Sequence, residues 1–292
     1  MIALALCRFA HFMAAMLAFG SSAFLWLYAP TELRRALAPK LRRLALAASL
    51  VALATAILWL ALEAASMSED WGAATDPGAI AAVLTDAEFG QAWIAHLAFV
   101  AAFVAAAVFA PRAAWAWGRI AVLAGLTLAS LALVGHAAMQ TGVVGALHRA
   151  NHGLHLLTTG AWLGGLIPFV MCLDAYRRDF LRREAVGAMM RFSFYGHFVV
   201  AAIVATGAVN IALTSHRLPL PPTTPYRALL DVKIGVVAIM ILLAVVNRYG
   251  LVPRLKASAK ALAALRRFSL VNVALGTLVV ALVSVFALLD PA

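Results

Sequence analysis

Apolar residues run along this chain in long blocks separated by short polar connections. A helix rises about 1.5 Å per residue and a bilayer's hydrocarbon core is about 30 Å thick, so roughly 20 mostly apolar residues make one crossing. Eight stretches meet that requirement, near 3–29, 44–66, 91–110, 119–138, 151–173, 192–215, 227–247 and 268–289. Alanine and leucine dominate them, with glycine where helices can approach closely. The connections leave no room for a soluble domain between spans. The pattern predicts an all-α integral membrane protein, a single polytopic domain over 1–292 with eight transmembrane helices. The first stretch lacks a basic leader and outruns the apolar core of a signal peptide, so it is expected to be a retained span.

Composition agrees and excludes a soluble globule. The chain is 65% hydrophobic and 12% charged, against about 25% charged in an average soluble domain. The net charge of +11 then reports orientation, because 18 of the 23 basic residues fall in the 1–2, 3–4, 5–6 and 7–8 connections. Arg34, Arg35, Lys40, Arg42 and Arg43 occupy the first of these, and Arg177, Arg178, Arg182, Arg183 and Arg191 the third. The 2–3 connection is acidic instead, with Glu69, Asp70, Asp76, Asp86 and Glu88. By the positive-inside rule the basic connections are cytoplasmic and both termini periplasmic. Lipid, not nucleic acid, is the partner this charge distribution implies.

The spans show an internal similarity. His11 is followed after eight residues by Gly20-Ser21, and His155 after eight by Gly164-Gly165. At the same four-span offset, Phe89-Gly-Gln-Ala-Trp-Ile-Ala-His96 lines up with Tyr226-Arg-Ala-Leu-Leu-Asp-Val-Lys233. Two four-helix repeats, 1–138 and 151–289, are expected. An even number of spans makes them parallel about an axis along the membrane normal.

Polar side chains are costly in lipid and turn toward the protein interior, which makes eight histidines conspicuous here. All but His197 fall toward the periplasmic side, within about 12 Å of the outer surface. His11, His96, His136 and His155 share one depth, and His152 lies one helical turn before His155. Imidazole suits copper, zinc, iron and nickel, and a nearby thioether such as Met139 favours cuprous copper. His11, His96, His136, His152 and His155 are the candidate metal ligands, with Met139, His148, Lys233 and Glu63 as accessory residues. His148 and His216 are expected in solvated loops. Lys233 either pairs with a carboxylate, snorkels outward, or keeps a second cation out of the place corresponding to His96. Trp26, Trp59, Trp93, Trp115 and Trp117 read as an interfacial belt, and Trp162 as a deeper packing residue. Cys7 and Cys172 are expected at opposite ends of their spans and unpaired.

No phosphate-binding loop, C-x-x-C, H-E-x-x-H or C-x-x-C-H motif occurs, and no nucleophile–base pair can be argued, so no enzymatic activity is expected.

Several segments carry a family resemblance: R-F-A-H (8–11), G-H-A-A (135–138), H-L-L-T-T-G-A-W-L-G-G-L (155–166), R-F-S (191–193), P-Y-R-A-L-L-x-x-K (225–233) and N-R-Y-x-L-V-P-R-L (247–255). In this order on eight spans, the sequence resembles the CopD/PcoD family of inner-membrane copper proteins, most strongly over 188–288, which resembles the copper-resistance D domain. The resemblance implies copper homeostasis in a bacterial inner membrane, passage of copper across it, and a periplasmic CopC-like copper-binding partner. It singles out His11, His136 and His155. Copper is expected to arrive at His136, His152 and His155 and to bind deeper at His11 and His96. Two other readings use the same sequence: a haem-b electron carrier with these histidines as axial ligands, and a non-transporting scaffold or sensor for a periplasmic copper protein.

Overall fold

The apolar blocks fold into helices, seen in a computed structural model that describes residues 2–135, 140–214, 224–255 and 258–289. In chain order these are α1 (Ile2–Leu27), α2 (Thr31–Met67), the short α3 (Pro77–Asp86), α4 (Glu88–Val108), α5 (Trp115–Ser130), α6 (Gly142–Ala175), α7 (Asp179–Thr214), α8 (Pro225–Val245) and α9 (Ala259–Phe286). All but α3 belong to the eight segments long and apolar enough to cross a membrane.

Several helices outrun the apolar stretches that announced them, because polar side chains satisfy exposed helix ends. α2 starts at Thr31 rather than near 44. The Glu184 carboxylate accepts from the Leu33 amide at 2.7 Å, while Arg34 donates to the Leu25 carbonyl in the last turn of α1 at 3.0 Å and to the Ala29 carbonyl just beyond it at 2.7 Å. α6 starts at Gly142 rather than at 151, where polar residues interrupt the hydrophobic run. α5 ends earlier than expected: a 3₁₀ turn at Leu131–Leu133 precedes Gly135, whose φ of +76° favours glycine. α8 passes into a π-helix at Val246–Leu251, just before Pro253.

The first four spans form a bundle. α1 packs on α2 and α5, and α4 packs on the same two helices, which places α1 and α4 diagonally across the bundle axis. In the second half α6 packs on α7 and α9, and α8 packs on α9. The halves meet mainly along α1 and α6, flanked by α1 on α9 and α5 on α6. A Cβ added to Gly20 would overlap the Gly160 carbonyl oxygen, and one added to Gly164 would overlap the Met16 carbonyl oxygen. At this crossing backbone touches backbone, the role small residues play between membrane helices.

Two expectations about aromatic residues need correction. Trp26 and Trp115 are exposed, as a belt requires, but Trp59, Trp93 and Trp117 are buried. The indoles of the first two find acceptors inside the protein: Trp59 Nε1 donates to Glu63 Oε1 at 3.0 Å, and Trp93 Nε1 to the Ala56 carbonyl at 3.1 Å. Trp162 is buried, and Cys7 and Cys172 are both buried and free.

Candidate metal site

On α1, Arg8 and His11 share a face, as do Trp93 and His96 on α4. The diagonal arrangement turns both faces toward the bundle axis. His11 and His96 are almost completely buried there, with ring centroids 4.9 Å apart and planes inclined by 54°.

Each imidazole is held by a hydroxyl from a flanking helix. His11 Nδ1 is 2.9 Å from Thr55 Oγ1, and the Thr55 hydroxyl donates its own hydrogen to the Val51 carbonyl at 2.6 Å. His96 Nδ1 is 2.8 Å from Ser130 Oγ, whose hydrogen goes to the Thr127 carbonyl at 2.9 Å. A hydroxyl that has spent its hydrogen can only accept, so each Nδ1 carries the ring proton and each Nε2 keeps its lone pair. Both Nε2 atoms are buried without a hydrogen-bond partner. Two neutral imidazoles, tautomer fixed and lone pair uncommitted, are the form in which histidine binds a metal.

Aromatic side chains wall the pair in. Trp93 stacks on His96 at 4.5 Å and meets Trp59 at 5.0 Å, Phe89 stacks on Trp93 at 4.9 Å, and Trp59 presents an edge contact to His11 at 6.0 Å. The Arg8 guanidinium lies over the Trp59 ring, 4.8 Å from its centroid. Cys7 Sγ donates to the Thr55 carbonyl at 3.2 Å, so Thr55 ties down two successive turns of α1.

The remaining candidate residues go elsewhere. His136 and Met139 lie outside the described residues. His155 repeats the same device in the second half: its Nδ1 is 2.9 Å from Thr206 Oγ1, which donates to the Ala202 carbonyl at 2.6 Å. Lys233 on α8 lies within electrostatic reach of His155, as does His152, and the Lys233 Nζ is 5.6 Å from the Phe286 ring centroid. His152 Nδ1 accepts from Asn210 Nδ2 at 3.2 Å, and Asn210 Oδ1 accepts from Asn151 Nδ2 at 2.7 Å. His148 is buried inside α6 rather than solvated in a loop, with Nδ1 3.1 Å from Gln140 Oε1. Glu63 accepts from Trp59, and Asp231 pairs with Arg227 at 2.9 Å rather than with Lys233. Among the described residues no group of three or more His, Cys, Asp or Glu side chains is placed to hold one metal ion. Of the five candidate ligands, the two that the described residues bring together are His11 and His96, with ring centroids 4.9 Å apart.

Thr55, Ser130, Trp59, Trp93 and Arg8 were not among the sequence candidates. Their signal was present: Thr55, Trp59 and Glu63 recur at four-residue intervals on one face of α2, and Phe89, Trp93 and His96 at intervals of four and three on one face of α4.

Residues 1–146 match the family model described as copper resistance protein D-like, N-terminal domain, and residues 186–286 match the model described as copper resistance protein D. The inner membrane protein YebZ of Escherichia coli (strain K12) is 35% identical over 289 residues, covering 97% of each chain. The copper resistance protein D of Pseudomonas syringae pv. tomato is 28% identical over 253 residues, covering 84% of this chain and 81% of that protein. Among solved structures, the bd oxidase from Geobacillus thermodenitrificans superposes with a TM-score of 0.59 at 10% identity, over 99% of this chain and 86% of that one. The last likeness is one of fold alone. Matched at both ends by family models and nearly throughout by a relative, this multi-pass membrane chain belongs to the copper resistance protein D family.

Proposed function

We propose that this protein binds copper between His11 and His96 and carries it across the inner membrane in copper homeostasis. The observation that carries this reading is the pair of buried Nε2 lone pairs on rings 4.9 Å apart, each ring held by a hydroxyl through Nδ1. Imidazole is a good ligand for copper, and membership of a copper resistance family selects that metal among those imidazole takes. A monovalent ion suits so apolar a setting, since the cost of burying charge rises steeply with its magnitude.

The haem reading fits this geometry less well. Metal–nitrogen bonds of about 2.0 Å on either side of an iron would put the two ring centroids about 6 Å apart. The observed separation of 4.9 Å is too short for both imidazoles to ligate one porphyrin iron axially.

The test is metal analysis and an absorption spectrum of the purified protein, wild type and His11→Ala/His96→Ala. The expected result is a colourless protein with one cuprous ion per chain, lost in the double variant and kept in His155→Ala. Unchanged copper in the double variant, or a Soret band, overturns the proposal. We place both termini and the acidic 2–3 connection on the periplasmic side, where a CopC-like protein would deliver the metal.

We also infer that the chain is a duplicated four-helix unit, with α6 opening the second copy at Gly142. His11 and His155, Met16 and Gly160, and Gly20 and Gly164 are each 144 positions apart. The α1–α6 crossing is reciprocal in these pairs: Gly20 abuts Gly160, and Gly164 abuts Met16. Such exchange of equivalent contacts is what a two-fold axis imposes. The His–Thr device of α1 and α2 recurs on α6 and α7, and Lys233 takes the place of His96.

A further inference from the structure

Three nitrogen atoms of α1 and α4 are buried without a partner: His11 Nε2, His96 Nε2 and Arg8 Nε. Their needs are opposite. The imidazole nitrogens offer lone pairs, whereas Arg8 Nε carries a hydrogen on a group that keeps its positive charge. Arg8 and His11 are three residues apart on α1 and both lie against Trp59, the guanidinium carbon at 4.8 Å and the imidazole at 6.0 Å from its ring centroid.

A bare copper ion would satisfy the two lone pairs and leave the guanidinium hydrogen unmet. It would also bring a second positive charge beside the first, where low dielectric makes like charges costly. Glu63 lies within electrostatic reach of Arg8, but one of its oxygens already accepts from Trp59. A single carboxylate balances the guanidinium or the metal and not both. A metal accompanied by an anion meets every requirement: the two Nε2 atoms and the anion bond the copper, and the anion accepts from Arg8 Nε–H. The walls of packed rings favour a small anion.

We propose that the His11–His96 site takes copper as a neutral metal–halide pair, with His11 and His96 as the protein's ligands and Arg8 as the anchor of the halide. This rests on the reading that His11 and His96 bind copper. No electrons are transferred: the halide keeps its electron pair until it donates it to copper, and the charges of the two ions cancel.

The test uses the full chain in detergent, titrated anaerobically with cuprous ion against a competing chelator in sulfate, chloride, bromide or acetate. X-ray absorption is recorded on the bromide sample. Binding at least tenfold tighter in chloride and bromide than in sulfate is expected, with a bromine neighbour in the copper shell. Arg8→Gln is expected to lose both the halide effect and the bromine signal, while copper in sulfate, relieved of the like charge, binds at least as tightly as in the wild type. Equal wild-type affinity in sulfate and bromide with no bromine neighbour overturns the proposal, as does a halide effect undiminished in Arg8→Gln. Acetate acting in place of bromide overturns the choice of a halide. Should Arg8→Gln fail to fold, the wild-type bromine signal decides alone. Absence of copper binding in every salt would instead refute the His11–His96 reading itself.

Discussion

His11 and His96 meet 4.9 Å apart although their helices, α1 and α4, are diagonal neighbours that pack on α2 and α5 rather than on each other. The site therefore belongs to the bundle axis. Thr55 and Ser130, on the flanking helices, hold the rings in the tautomer that leaves Nε2 uncommitted.

Removing either hydroxyl lets its imidazole rotate or change tautomer. Thr55→Val and Ser130→Ala are each expected to weaken copper binding about 10–100-fold while leaving the metal count at one, as loss of a group that orients a ligand does elsewhere. Chelator competition under anaerobic conditions reads this directly. Full wild-type affinity in both variants would show that the hydroxyls do not set the site.

If the second half is a copy of the first, Lys233 is what keeps it from binding metal. Lys233→His is then expected to raise copper from one to two per chain, and His155→Ala in that background to return it to one. Lys233→Leu supplies a side chain without a ligand atom and should stay at one. A count of one in Lys233→His, with the protein folded, would count against the duplication as a pairing of sites.

The α1–α6 crossing has no space for a methyl group. Gly20→Ala drives a Cβ into the Gly160 carbonyl oxygen, and overpacking of this kind costs about 1–3 kcal/mol. A lowered thermal unfolding midpoint in detergent is expected. Gly196→Ala is the control, since nothing lies within 4 Å of its added Cβ, and there the midpoint should hold or rise slightly. Equal midpoints in the two variants would contradict the crossing.

Orientation can be read with reporter fusions. Alkaline phosphatase, active only outside the cytoplasm, should be active when fused after residue 292 and inactive when inserted between Arg178 and Asp179. The reverse pattern would invert the assignment of the basic connections.

Much of the architecture could be read from hydropathy, because eight apolar stretches of crossing length admit few alternatives in a membrane. The helix ends could not. Residues such as Arg34 and His148 interrupt an apolar run on paper, yet in the fold they find the Leu25 and Ala29 carbonyls and the Gln140 side chain. The site was half legible. Depth is encoded along the chain, and His11 and His96, assigned one depth, do meet. Lateral position is not: it depends on which helices are neighbours, and that separates the His11–His96 pair from His155, which has Thr206 and Lys233 instead. The tryptophans misled for a related reason, since proximity to a span end says nothing about whether an indole faces lipid or a neighbouring helix.

At the crossing of α1 and α6, Gly20 and Gly164 leave no side chain between the two backbones. Elsewhere in the interface a rotamer can change and let one helix slip along another, but backbone atoms in contact have no such freedom. Sliding of one half past the other is blocked at this point, whereas rotation about it is not. The glycine contact thus fixes the register of the two halves along their length, and with it the position of His11 relative to His155, each nine residues before its own glycine.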